Sequence, residues 1–329
     1  MSDRRPSIAA VIPTYNCAKY LEEAVSSVRA QTVPVQQIII VDDGSMDGTD
    51  NVVSRLGADI CYLKQQNAGP SAARNAGVQA ANAEWVGFLD ADDVWFPEKS
   101  ARQLKLLEKC ADLALIATDR EEIDGDGAVI VRSLFERHGL LPYFQQLAGD
   151  PIPGALARLV KKNFIPTSSV MVKRQVVDEL GGFNTDIRFS EDLELWGRIA
   201  AYHPIACLPD VLTQYRRHGD NAVTKTEKML SGSIQTMRSL RLNCCEALLA
   251  EGCDPNRLVA EHLAALGYFY FDQGRPEIAR PSFVESLSEK PTARALLYLL
   301  AAHFPARALS AMRSIKQDLT SIIRHASAR

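Results

Sequence analysis

The sequence has no surplus of positive charge. Its 37 Lys and Arg stand against 40 Asp and Glu, a net charge of -3. No global basic field would draw it to nucleic acid. It has no CxxC pair and no Cys/His spacing suited to zinc, and its seven cysteines are scattered, Cys244 and Cys245 being neighbours. A reduced, cytoplasmic setting is the simplest expectation. No run of about 18 apolar residues occurs, so no transmembrane helix is expected. ALLYLLAAHF (295–304) is too short to span. Arg4 and Arg5 before SIAAVI imitate the start of a signal peptide, but the apolar part is short and runs into Pro13 and Asn16. Nor does a GxGxxG follow the first apolar run, which removes the phosphate-binding turn of a dinucleotide dehydrogenase.

What is present reads as globular. The 329 residues are 47% hydrophobic and 23% charged. That length suits one large domain with a smaller appendage. The first 120 residues alternate strand and helix signals. SIAAVIP (7–13), QIIIVDD (37–43), 59–64, EWVGFLD (84–90) and LALIATD (113–119) read as strands. KYLEEAVSSVRAQ (19–31), 47–56, about 70–82 and PEKSARQLKLLEKC (97–110) read as helices. Continuous β-branched runs suit strands buried on both faces, and the βαβαβ rhythm predicts a mostly parallel sheet flanked by helices. Signals weaken after 121. GDG (125–127) suggests a hairpin turn, FIPTSSVMV (164–172) a strand, KRQVVDELGGF (173–183) a helix ended by glycine, and IACLPDVLTQYRRH (205–218) an extended segment. EDLELWGRIAAY (191–202) is amphipathic, with Leu195, Ile199 and Tyr202 on one stripe. Beyond about 228 the pattern is all helical.

Ligands in parallel α/β sheets gather at the carboxyl ends of strands. The polar clusters fall there: TYN after the first strand, DDGS after the second, DADD after the fourth. In FLDADD (88–93), carboxylates two residues apart on a continuing strand face the same side. Asp90 and Asp92 are then placed to share a divalent cation; Mg²⁺ and Mn²⁺ prefer oxygen ligands and substrate phosphates. Read alone, the triplet is equally an acidic turn before a helix. Asp42 and Asp43 end the second strand in IIIVDDGSMDGT (38–49), where a carboxylate can accept from a base N–H or a ribose hydroxyl; alone, this too is a turn signal. Arg74, in QNAGPSAARNAG (66–77), suits phosphate geometry, but a surface helix arginine would read the same way. Glu191 and Asp192 open a helix, where the dipole favours acid regardless of chemistry. Trp85, Trp95 and Trp196 flank the motifs. Core packing is their default, though Trp95 or Trp196 could meet a sugar ring.

Taken together, VIPTYN, IIIVDDGSMDGT, QNAGPSAARNAG, FLDADDVWFPEK, FIPTSSVMVKRQVVDELGGF, SEDLELWGRIA and YRRHGDNAV, in this order, resemble the inverting family 2 glycosyltransferases of GT-A fold. The resemblance covers about residues 6–223. It implies a GT-A, Rossmann-like α/β domain over 1–227. Residues 1–120 would form the nucleotide-sugar half and 121–227 the acceptor half, with 228–329 a helical extension. It implies an enzyme, a hexosyltransferase using Mn²⁺ or Mg²⁺ to move a sugar from a nucleotide diphosphate-sugar, UDP-linked by family precedent. The acceptor would be a saccharide or lipid-linked saccharide, in cell-envelope or extracellular polysaccharide synthesis. Carried residue by residue, Asp42 matches the nucleobase contact, with Asp43 beside it. Pro13, Thr14 and Tyr15 line the same pocket, and Arg74 faces the nucleotide. Asp90, Ala91 and Asp92 match the DxD metal and diphosphate site, Asp192 matches the catalytic base, and His218 matches a position that joins the metal or diphosphate in some members. Beside Arg216 and Arg217, His218 also reads as an ordinary loop histidine.

Two rival functions keep part of this pattern. A sugar-binding scaffold of a polysaccharide assembly would keep the fold, yet Asp90, Asp92 and Asp192 are intact. A nucleotidyltransferase would carry a Gly-rich basic loop near its start, which VIPTYN lacks. The last segment, 306–329, holds five Lys/Arg and one Asp and is mildly amphipathic. It suits contact with an anionic inner leaflet, or a solvated terminal helix.

Overall fold

β-Branched and small apolar residues build the centre of the molecule. In the computed structural model, which describes residues 5–218 and 226–303, β1 (Ile8–Thr14) and β2 (Gln37–Asp42) are almost wholly buried. α1 (Ala18–Arg29) and α2 (Thr49–Leu56) follow them, and β3 (Ile60–Lys64) pairs beside β2. α3 (Pro70–Ala80) starts on a proline, which gives up an amide that a first turn leaves unpaired anyway. It approaches β1 closely at Gly77, where a Cβ would sit 3.1 Å from Val11 Cγ2. β4 (Trp85–Phe88) ends before the acidic loop, and the short β5 (Val94–Trp95) and α4 (Lys99–Lys109) come after it.

β6 (Leu115–Ile123) and β7 (Val129–Val131) form the hairpin expected at GDG. α5 (Leu134–Arg137), α6 (Leu141–Leu147) and α7 (Ala155–Lys161) lead to β8 (Met171–Lys173) and α8 (Arg174–Glu179). α9 (Glu191–Tyr202) and β9 (Ile205–Arg216) complete the α/β part. The strand expected over 164–172 is therefore mostly absent. Residues 167–169 form a 3-10 turn, and only Met171–Lys173 pair. Tyr202 is exposed, unlike its expected stripe partners Leu195 and Ile199.

The sheet order is β3-β2-β1-β4-β8-β6-β9-β5, with β7 on β6. β1 to β4 pair in parallel, as the sequence rhythm predicts. β8 runs antiparallel to both β4 and β6, so the second half is mixed. A three-residue strand wedged between β4 and β6 leaves no local hydrophobic period to read.

α10 (Thr226–Ala250), α11 (Pro255–Asp272), α12 (Pro276–Glu289) and α13 (Ala293–Ala301) form the helical region. Ile234, Met237, Leu240, Val259 and Leu263 share one core with Leu195, Trp196 and Phe88. Among the described residues no helix is long and apolar enough to cross a membrane. The expected amphipathic segment 306–329 lies outside them.

Candidate active site

The register of β1, β2 and β4 brings their carboxyl ends together: Thr14 pairs with Asp42, and Val11 with Phe88. The loops beyond are laced to one another. Asn16 N donates to Ser45 Oγ at 2.9 Å, Met46 N to Asn16 Oδ1 at 2.8 Å, and Ala18 N to Asp47 Oδ2 at 2.8 Å.

Asp42 is fully buried. Its Oδ1 accepts from Ser45 N at 2.7 Å, its Oδ2 accepts from the Tyr62 hydroxyl at 2.7 Å, and Lys64 Nζ stands 3.8 Å away. Asp43 turns the other way. It accepts from Gln65 Nε2 at 2.7 Å, Ala68 N at 2.9 Å and Gly69 N at 2.8 Å, so it braces the loop that enters α3. Thr14 is buried, with no hydrogen-bond partner for its Oγ1 among the described residues. Pro13 is half-buried beside it and Tyr15 is half exposed.

The acidic loop does not continue β4. Asp93 N donates to Asp90 O at 3.0 Å, so the loop turns after β4 instead of running on as a strand, with the Asp90 charge still close enough to act on Asp92. Ala91 is buried against the apolar layer that holds Leu89 and Trp95, which suits a small residue between the two acids. Asp90 Oδ1 accepts from Arg74 Nη2 at 2.8 Å. Asp92 Oδ2 lies 2.8 Å from His218 Nε2, and the His218 ring stacks on Tyr20 with centroids 5.4 Å apart. Burial and the negative charge of Asp90 push the Asp92 carboxyl up, against the pull of His218. Asp93 is buried and structural: it accepts from Ser168 Oγ at 2.5 Å and Arg216 N at 3.1 Å. Cys17 faces this loop. Burial, then the charges of Asp92 and Asp90, push its thiol up to about 12, so it stays protonated near neutrality.

Arg74 is not a surface arginine. It is buried, and its second nitrogen, Nη1, donates to Glu191 Oε1 at 2.7 Å. One guanidinium thus joins the acidic loop to the start of α9. Asp192, the next residue, is half-buried. Its Oδ2 accepts from Thr167 Oγ1 at 3.2 Å, and Asn163 Nδ2 lies 3.4 Å from both oxygens. Burial pushes its carboxyl up, while the Leu193 amide and Arg74 pull it down. A half-buried carboxyl oriented by two neutral groups and shifted up is equipped to take a proton. Trp95 and Trp196 are core residues rather than sugar platforms, at 3% and 0% exposed.

Among the described residues no three His, Cys, Asp or Glu side chains converge tightly enough to chelate an ion by themselves. Asp92 and His218 are nevertheless in contact, with Asp90 alongside and a third exposed. Such a donor set fits Mn²⁺ or Mg²⁺ where substrate phosphates complete the shell. Sequence reasoning does not single out Thr167, which lies in the segment that reads as a strand, Asn163, which closes the weak-signal stretch before it, or Glu191 as the anchor of Arg74.

Comparison with known proteins bears on the family and the fold. A family model described as "Glycosyl transferase family 2" matches residues 9–181, more than half the chain. An uncharacterized glycosyltransferase of Rickettsia felis is 29% identical over 223 residues, which is 67% of this chain and 36% of that protein. The putative teichuronic acid biosynthesis glycosyltransferase TuaG of Bacillus subtilis is 33% identical over 135 residues, 38% of this chain and 53% of TuaG. The chain thus spans only about a third to a half of the length of these two relatives. Among solved structures, S. aureus TarS 1-349 in complex with UDP superposes with a TM-score of 0.63 at 17% identity, covering 92% of this chain and 87% of that one. The mannosyltransferase PcManGT from Pyrobaculum calidifontis, in complex with GDP-Man and Mn²⁺, gives 0.56 at 17% identity, covering 92% and 89%. These structures share the fold. With the strand-end acids and the ED-headed α9 in place, the match over residues 9–181 identifies the chain as a member of glycosyl transferase family 2.

Proposed function

We propose that the protein is a metal-dependent inverting glycosyltransferase. It moves a sugar from a nucleotide diphosphate-sugar to an acceptor hydroxyl. The observation that carries this reading is the separation of two acid functions. Asp92 with His218 stands at the donor strand ends, and Asp192 stands apart, oriented by Thr167 and Asn163.

The base and ribose lie against Pro13, Thr14 and Tyr15, with Asp42 and Tyr62 shaping the floor. Asp43 fixes the loop that carries α3 toward the nucleotide. Asp92 and His218, with Asp90 beside them, would hold Mn²⁺ or Mg²⁺, which would supply charge neutralisation for the diphosphate leaving group. Arg74 holds Asp90 and Glu191 in register, so donor loop and base keep a fixed separation. Asp192 takes the proton of the acceptor hydroxyl as general base. The freed oxygen attacks the anomeric carbon as the bond to the diphosphate breaks, through a transition state with oxocarbenium character. One displacement inverts the anomeric centre, and the proton ends on Asp192.

UDP-sugar is the donor class proposed. TarS is described with UDP, whereas PcManGT is described with GDP-Man, so the base is the first thing to test. The name of TuaG supports a place in envelope polysaccharide synthesis. The test is release of nucleotide diphosphate from a panel of nucleotide sugars, with Mn²⁺, with Mg²⁺ and with EDTA. Asp92→Ala and Asp192→Asn run beside the unaltered protein. Turnover that needs metal and disappears in both variants supports the reading. A product that retains the donor configuration, or no nucleotide binding at all, overturns it.

A further inference from the structure

Outside the residues used above, three guanidinium groups surround one buried carboxylate. Glu122, on β6, is 1% exposed. Its Oε1 faces Arg120 Nη2 at 3.2 Å, and its Oε2 faces Arg137 Nη1 at 3.2 Å and Arg217 Nη2 at 2.7 Å. Three cations on one anion leave a surplus of two positive charges. Neutralising Glu122 needs one of them. Arg137 and Arg217 are 49% and 44% exposed along their side chains, so each keeps donors facing solvent.

The surroundings add to the surplus. Burial, and then the positive charges of Lys162, Arg137 and Arg120, hold His138 below the ordinary imidazole range. His138 Nδ1 and Arg120 Nε are buried with no hydrogen-bond partner among the described residues. Two nearby carboxylates turn their oxygens to neutral donors rather than to these guanidinium groups. Asp119 accepts from the Ser133 hydroxyl and from the amides of Phe135 and Arg120, and Glu121 accepts from Gln214 Nε2 at 2.6 Å.

The cluster adjoins the site at both ends. Arg217 directly precedes His218, which meets Asp92. Arg120 stacks on Tyr215 at 4.1 Å, and that ring also lies in the field of Asp93, Asp92 and Asp90. Lys162 directly precedes Asn163, which faces Asp192. Glu122, Arg137, His138, Lys162 and Arg217 belong to the half expected to receive the acceptor, and Arg120 stands at its boundary.

We infer that Arg137 and Arg217 form an oxyanion subsite for the acceptor. They bind a phosphate ester or a carboxylate carried by the acceptor saccharide, with Lys162 and His138 at its edge. Glu122 and Arg120 hold the two forks in place, as an arginine pair reading a planar or tetrahedral oxyanion requires. That the occupant is the acceptor rests on the transferase reading above; the anion site itself does not.

The experiment titrates the full chain with glycerol 3-phosphate, with a glucuronate trisaccharide and with neutral maltotriose. EDTA is present in these anion titrations, so metal-dependent diphosphate binding does not compete; UDP–Mn²⁺ affinity and turnover are measured separately without it. Arg137→Gln combined with Arg217→Gln is the test variant. Arg55→Gln combined with Arg257→Gln removes the same charge elsewhere, and Arg217→Lys keeps the charge without the fork. One of the anions should bind the native protein and the control alike. It should weaken at least about tenfold in the test variant and by a smaller factor in Arg217→Lys, as loss of charge-assisted hydrogen bonds implies. Which anion binds decides between phosphate and uronate. Anion binding no tighter than maltotriose, or unchanged in the test variant, overturns the inference. So does a variant that loses UDP–Mn²⁺ affinity instead, because the arginines would then belong to the donor. If no nucleotide sugar turns over while anion binding still needs both arginines, the transferase reading falls and the anion site stands.

Discussion

Arg74 offers the sharpest test of how the site is wired. It is buried, and it pairs with Asp90 at 2.8 Å and with Glu191 at 2.7 Å. Burial disfavours the charge on this guanidinium, and the two carboxylates more than offset it. Arg74→Met keeps much of the apolar stem and removes the charge. It leaves Glu191 buried beside the charge of Asp192 with no cation to answer it. Breaking a buried pair from one side costs about 3–5 kcal/mol. At roughly 2–4 °C of Tm per kcal/mol, the melting point should fall by about 6–20 °C. Asp90 is a third exposed and softens its own part of that loss.

The assay is thermal and urea denaturation of four proteins: native, Arg74→Met, Glu191→Gln and the double variant. Removing both partners should recover part of the loss, because the buried charge has gone with its partner. A loss below about 1 kcal/mol, as for exposed ion pairs, would refute the reasoning. So would a double variant whose loss is the plain sum of the single ones.

Three further outcomes follow from the same geometry. Asp192 is shifted up by burial, so the acid limb of the rate–pH profile should lie above the ordinary carboxylate range; turnover rises as pH climbs through that limb and Asp192 ionises. Arg74 is among the groups pulling Asp192 down, so Arg74→Met should move the limb higher, and Asp192→Asn should remove turnover while UDP binding, followed by calorimetry, survives. Gly232→Ala would place a Cβ 2.7 Å from Phe189 Cβ and against the Phe189 carbonyl, two and three residues before Glu191 and Asp192. Overpacking of this kind costs about 1–3 kcal/mol, and kcat should fall with little change in UDP affinity, read from denaturation and steady-state kinetics. EDTA should abolish UDP-sugar turnover, and Mn²⁺ added back should restore it in the native protein but not in Asp92→Ala.

The first 120 residues were legible because their signals are local. VIPTYN and IIIVDD are β-branched runs closed by polar turns, and both strands lie within a residue or two of the expected bounds. SEDLELW showed its helix by its acidic first turn and its apolar period. Failures came where a side chain's partner is distant. Arg74 reads as a surface residue until Glu191, 117 positions away, is brought against it. An extended strand is one way to bring Asp90 and Asp92 together; here β4 stops at Phe88 and a turn carries both acids instead. FIPTSSVMV is as buried as a strand would be, yet Thr167 and Ser168 use their hydroxyls on Asp192 and Asp93 in a 3-10 turn. Burial without period could not separate the two.

The helical region is more than an appendage to this chemistry. Ser190, just before the ED pair, has a left-handed backbone at φ 64, a costly setting for a residue with a Cβ. Its carbonyl accepts from Thr236 Oγ1 at 3.0 Å, and Gly232 lets α10 come up against Phe189. α10 therefore braces the turn that sets where α9 begins, and with it the direction of Asp192. On the other flank, Arg74 fixes Glu191 from the donor side. Asp192, the proposed base, is held between a helix some forty residues later in the chain and an arginine more than a hundred residues earlier. Neither contact touches the reacting atoms. Together they explain why a carboxyl at an exposed-looking helix start keeps one orientation toward Thr167 and Asn163.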